Sequence, residues 1–90
     1  ADAGPQRKRK LSFNEQHALA TLPGTIESLQ SEIEALHATL SDPELYSRDP
    51  TAFDRATARL TKAEADLAAA EDRWLELELL REELQSTAES

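Results

Sequence analysis

Ninety residues hold one domain at most, and a chain of this length buries a limited core. The absence of cysteine excludes a disulfide framework and a thiolate metal site, and two glycines exclude a Gly-rich phosphate loop. The net charge is −8, no apolar run is long enough to span a membrane, and no charged stretch leads into an apolar one as a secretory signal would.

The charge is uneven along the chain. Residues 1–10 carry Arg7, Lys8, Arg9 and Lys10 against Asp2 alone, a net +3, so the rest of the chain carries −11 of the total −8. Gly, Pro and a charge run with nothing to bury predict a disordered basic linker over 1–10. A chain with no methionine, beginning in such a linker, reads as an excised piece of a larger protein.

Ordered structure is expected over 11–85. Ser12, with Glu15 three residues on, has the capping-box form and predicts a short helix over 13–21. Pro23 suits a first helical turn, so a second helix is expected over 23–41 after a mild bend. Leu19, Leu22, Ile26, Leu29, Ile33, Leu36 and Leu40 alternate spacings of 3 and 4, the apolar seam of a coiled coil. Pro43 and Pro50 break the pattern, and the turn spans 42–49, with Asp49 as N-cap for Pro50. A long helix then covers 50–85. Its seam runs through Phe53, Ala56, Leu60, Ala63, Leu67, Ala70, Trp74 and Leu77. Beyond Leu77 the phase falters at Arg81, and residues 86–90 should fray.

Two seams joined by a short turn predict an all-α fold. It would be an antiparallel two-helix coiled-coil hairpin, with the short N-terminal helix packed at its open end near Leu77, Leu80 and Leu84. Pairing Leu22 with Trp74, Ile33 with Ala63 and Leu36 with Leu60 satisfies the seams, as does a slip of one heptad. Leu45 and Tyr46 occupy the hairpin tip, where an aromatic either caps the core or touches a partner.

Chemistry is sparse. His17 and His37 have no ligand-spaced neighbours, and no nucleophile–base arrangement stands out, so no catalytic residue and no metal ligand is expected. Glu64, Glu71 and Glu78 recur every seven residues as a solvated flank. Arg55, Arg59, Lys62 and Arg73 gather on the other flank, interrupted by Asp66. Such a stripe can track a phosphate backbone, and it can equally pair along the helix or across to Glu32. The candidate nucleic-acid contacts are therefore Arg7, Lys8, Arg9, Lys10, Arg55, Arg59, Lys62 and Arg73.

Several strings come in a familiar order. They are Lys10-Leu11-Ser12-Phe13, Leu22-Pro23 with Ile26-Glu27-Ser28-Leu29, Leu40-Ser41-Asp42-Pro43-Glu44-Leu45-Tyr46, and Glu71-Asp72-Arg73-Trp74-Leu75-Glu76-Leu77-Glu78. Over residues 10–84 the chain resembles the C-terminal domain of ABC-F ATPases, the Uup-like branch of the ABC transporter ATP-binding proteins. The resemblance implies a cytoplasmic, ribosome-associated parent with two ATPase cassettes and no membrane domain. ATP and Mg would bind in those upstream cassettes and not in this fragment. It also implies a coiled coil associated with DNA binding, preceded by a charged stretch like the basic linker here. Two departures are visible: the body is acidic, and Leu45 stands where the family often has an aromatic.

The leading expectation is a non-catalytic module that binds DNA or ribosomal RNA through phosphates. A structural hairpin that docks on its own ATPase cassettes, or pairs with a second copy, is the alternative of a different class, with exposed Leu75, Leu79 and Leu80 as its apolar surface. A third is the tRNA-binding coiled-coil arm of a synthetase such as valyl-tRNA synthetase, whose tip is usually more basic than this one. The fragment is expected to be a monomer with no membrane partner.

Overall fold

The computed structural model describes residues 10–89, with side chains through residue 86. It contains α1 (Phe13–Leu40), α2 (Leu45–Arg48) and α3 (Pro50–Glu89), and no strand among the described residues, so the all-α class stands. Of the basic linker, only Lys10 lies within the described residues, and it is exposed.

The capping box forms as the sequence predicts. Ser12 Oγ accepts from the Glu15 N–H at 3.1 Å, and Glu15 Oε1 accepts from the Ser12 N–H at 2.8 Å. The separate short helix over 13–21 does not form. Residues 13–40 are one helix with Pro23 inside it. A proline removes one helical hydrogen bond and crowds the preceding turn, at a cost of about 3 kcal/mol. The reason it is tolerated lies on the seam. Leu19 and Leu22 before the proline, and Ile26 and Leu29 after it, are all half-buried, so breaking the helix would unseat one half of the row.

Gly24, next to that proline, has space around it: a Cβ there would meet nothing within 4 Å, and its φ is not positive. Gly24→Ala should therefore stabilise the chain by about 0.5–1 kcal/mol, through a less flexible unfolded state. A higher thermal midpoint by circular dichroism is the expected result. A lower one would mean that the α1 backbone at this position is strained.

Between the long helices, Asp42 organises the turn. Its Oδ1 accepts from the Glu44 N–H and its Oδ2 from Arg48 Nη2, each at 2.9 Å. Leu45 is buried beneath α2, while Tyr46 is 60% exposed with its ring edge-on to Phe53 at 5.2 Å. Of the two tip residues, Leu45 thus caps the core and Tyr46 remains accessible. Asp49 Oδ1 accepts from the Ala52 N–H at 3.1 Å, and Pro50 opens α3. Nothing in residues 86–89 breaks the helix, and α3 continues past Gln85 to Glu89.

The α3 seam is visible in the burial. Ala56, Ala63, Ala70 and Leu77 are buried, and Phe53, Leu60, Leu67 and Trp74 between them are half-buried. Small side chains let the facing backbone approach until nothing of Ala63 is exposed. After Leu77 the row shifts to Leu80 and Leu84, both half-buried, while Arg81 stays exposed and pairs with Glu78.

α1 and α3 lie against each other, and the molecule measures 65 × 23 × 14 Å. Its radius of gyration is 19.9 Å, against about 12 Å for a globule of this length. A rod this thin has surfaces but no enclosed interior. Ion pairs cross between the helices. Glu32 meets Arg59, and His37 Nε2 lies 4.0 Å from Glu64. Leu29 lines an open groove with Arg59 and Asp66. Both seams alternate 3 and 4, so a slip of one heptad keeps them facing, and side-chain pairing selects among the registers.

Candidate nucleic-acid interface

At 100° per residue, Arg55, Arg59, Lys62 and Arg73 fall within an arc of about 60° on α3. They share one line down the helix, as the stripe requires, but most of their charge is already engaged. Arg59 forms a two-point ion pair with Glu32 across to α1. Lys62 Nζ lies 3.3 and 3.4 Å from the two carboxylate oxygens of Asp66. Arg73 Nη1 donates to Glu76 Oε1 at 3.2 Å. Arg55 has no ion pair among the described residues. Lys10 is exposed at the start of α1, and Arg7, Lys8 and Arg9 lie outside the described residues.

These pairs are solvent-exposed, so each contributes little and a competing phosphate faces a low barrier. The electrostatics follow the contacts. The hydrogen bond from Arg59 holds the Glu32 carboxyl below the usual glutamate range, and Glu32 in turn raises the affinity of Arg59 for its proton. Arg48, then the Glu44 N–H, lower Asp42 in the same way. Both carboxylates bind a proton less tightly folded than unfolded. Their stabilising contribution is complete above the ordinary carboxylate range and is lost as pH falls through their lowered values. In a carboxyl NMR titration, Glu32 should titrate below the other exposed glutamates, and Arg59→Met should return it to their range. A Glu32 that does not move in that variant would remove Arg59 as the cause.

His17 stacks on Phe13 with ring centroids 6.3 Å apart, and His37 Nε2 lies 4.0 Å from Glu64. No group of three or more His, Asp or Glu side chains is arranged to hold a metal ion among the described residues. No helix among them is long and apolar enough to cross a membrane.

Two features escape the sequence reading. Arg48 braces the tip through Asp42, a contact that a six-residue separation inside a proline-flanked turn does not advertise. Ala20, Thr21, Gly24, Thr25 and Ser28 form the small-residue wall of the groove, and their spacing on α1 is the signal that could have found it. The sequence reading of Leu75, Leu79 and Leu80 as an exposed apolar surface holds for Leu75 and Leu79, at 52% and 56% exposure, whereas Leu80 is half-buried because it continues the inward row after Leu77.

Fold and surface together define an elongated all-helical module, with charged flanks and a solvent-open groove. Residues 10–79, most of the chain, match the family described as the ABC transporter C-terminal domain, and the chain belongs to that family. The family assignment leaves no place for the synthetase-arm reading. Neither a curated protein nor a solved structure matches the chain.

Proposed function

We propose that this chain is the non-catalytic C-terminal coiled-coil module of an ABC-F type ATPase of the Uup-like branch, acting in the cytoplasm on nucleic acid. In this reading α1 and α3 form an antiparallel coiled-coil hairpin closed by Leu45 and Tyr46, and the isolated module is a monomer. Its phosphate contacts, to DNA or ribosomal RNA, are Arg7, Lys8, Arg9 and Lys10 at the N-terminal side and Arg55, Arg59, Lys62 and Arg73 on α3. The observation that carries the reading is the alignment of the four α3 cations along one line of about 27 Å, in a chain of this family. ATP and Mg2+ belong to the cassettes of the parent. With only Gly4 and Gly24, this chain has no phosphate loop to hold them.

A salt titration tests the reading. Binding to duplex DNA, or to a structured ribosomal RNA fragment, should weaken linearly on a log–log plot, with a slope of roughly −0.9 per phosphate neutralised on duplex DNA. Replacing Arg55, Arg59, Lys62 and Arg73 by Gln, and separately Arg7, Lys8, Arg9 and Lys10, should weaken binding and flatten the slope. Affinity indifferent to salt and to both sets of substitutions would overturn the proposal.

A second reading, docking on the parent's own ATPase cassettes or self-association, draws on the exposed Leu75 and Leu79. Sedimentation at increasing concentration separates its self-associating form from a monomer.

A further inference from the structure

The outer side of α3 carries a pattern that nucleic-acid contact does not use. Leu75 and Leu79 lie one turn apart and are the most exposed leucines of the molecule, at 52% and 56%. Taking buried Leu77 as the inward direction, each stands about 160° away from it, so the pair straddles the line opposite the seam. Carboxylates border this line on both edges: Glu71, Glu78 and Glu82 on one, Asp72, Glu76 and Glu83 on the other, all within about 80° of its centre. Arg73 and Arg81, the cations of the stretch, stand on the inner half, about 40° from Leu77. They are committed to Glu76 and Glu78. Glu71, Asp72, Glu82 and Glu83 have no cationic partner among the described residues.

We propose that this outer face of α3 is a docking site for a cationic amphipathic helix of a partner protein. The matching helix presents two aliphatic side chains one turn apart, flanked by Lys or Arg. An aliphatic pair supplies the apolar contact, and carboxylates on both edges select a helix whose own borders are basic. The charge pattern excludes other occupants. A second copy docked patch to patch would bring carboxylates against carboxylates. An anionic lipid surface or a nucleic acid is repelled by the same carboxylates. Arg7, Lys8, Arg9 and Lys10 complement the charge but include no aliphatic residue, and Leu11 beside them is half-buried.

The probe is a synthetic 18-residue helical peptide of Leu, Lys and Ala with its leucines on one face, titrated into the full 90-residue chain by NMR. A permuted peptide of the same composition without a leucine face, and an analogue with Glu for Lys, serve as comparisons. Saturable shifts centred on Leu75 and Leu79 are expected. Binding should weaken at least tenfold for the permuted peptide and for the Glu analogue. Leu75→Ser with Leu79→Ser should weaken it as much, and because both side chains are exposed this variant keeps its fold, which circular dichroism verifies. Glu71→Gln, Asp72→Asn, Glu82→Gln and Glu83→Gln together should weaken it and remove most of its salt dependence. Equal binding of the permuted peptide, or unchanged affinity in the double serine variant, would reduce the effect to general charge attraction and overturn the proposal. It would also be overturned if replacing Arg7, Lys8, Arg9 and Lys10 shifted the Leu75 and Leu79 resonances of the free chain, which would make the chain's own basic segment the occupant. Duplex DNA binding by the double serine variant should equal that of the parent chain, so this proposal and the nucleic-acid reading fail independently.

Discussion

Leu77→Ala is expected to destabilise the chain by about 2–5 kcal/mol, with a thermal midpoint lower by about 10 °C or more. Leu77 is 1% exposed and is the largest fully buried side chain. The other buried residues are Leu45 and three alanines, which have little apolar surface to lose. Removing the Leu77 side chain therefore deletes a large part of what the helices bury completely. A rod of two long helices cannot collapse around the cavity as a globule does, because each layer has neighbours only above and below it. The stability of a domain this small lies toward the lower end of the usual range of about 5–15 kcal/mol, so the variant should be substantially unfolded well below the parent's midpoint. Leu75→Ala, on the outer side of the same helix, is the matched control and should fall within about 0.5 kcal/mol of the parent. Equal losses from the two substitutions would contradict the inward assignment of Leu77.

That contrast also shows what could be read from the sequence. The alternation of 3 and 4 identified the buried row residue by residue: every seam position from Leu19 to Leu40 and from Phe53 to Leu77 is half-buried or buried. The rule fails where local preference and tertiary burial disagree. Pro23 carries a local signal for a helix boundary, but apolar neighbours on both of its sides hold the helix together, and a rule that weighs one residue at a time cannot see them. The candidate site was less legible for a related reason. Partners three or four residues apart can be read from spacing, as with Lys62 and Asp66 or Arg73 and Glu76. Glu32 was legible as a cross-helix partner of the stripe, but which cation it meets, Arg59, depends on the register between two helices, and a repeating seam is nearly degenerate to slippage. Within one helix the phase separates Leu75 and Leu79, exposed as their positions predict, from Leu80, which is half-buried because the inward row shifts to it after Leu77.

Register is open to a direct test through the alanine layers. Ala63 has no exposed surface, and its layer is one of the closest approaches of α3 to α1. Ala63→Leu should cost about 1–3 kcal/mol, because the added methylenes enter a space already filled by the facing helix. The identity of the facing residue decides which second substitution relieves it. The expected pairing makes that residue Ile33, whereas a slip of one heptad makes it Ile26 or Leu40. In a double-mutant cycle, Ala63→Leu combined with Ile33→Ala should be less destabilising than the sum of the two single changes, with a favourable coupling of about 0.5–3 kcal/mol. Ala63→Leu combined with Ile26→Ala should be close to additive. Chemical denaturation with fixed m-values would measure all the variants on one scale. Coupling to Ile26 and not to Ile33 would move the helices by one heptad relative to each other. That slip would carry His37 out of reach of Glu64, from which it stands 4.0 Å.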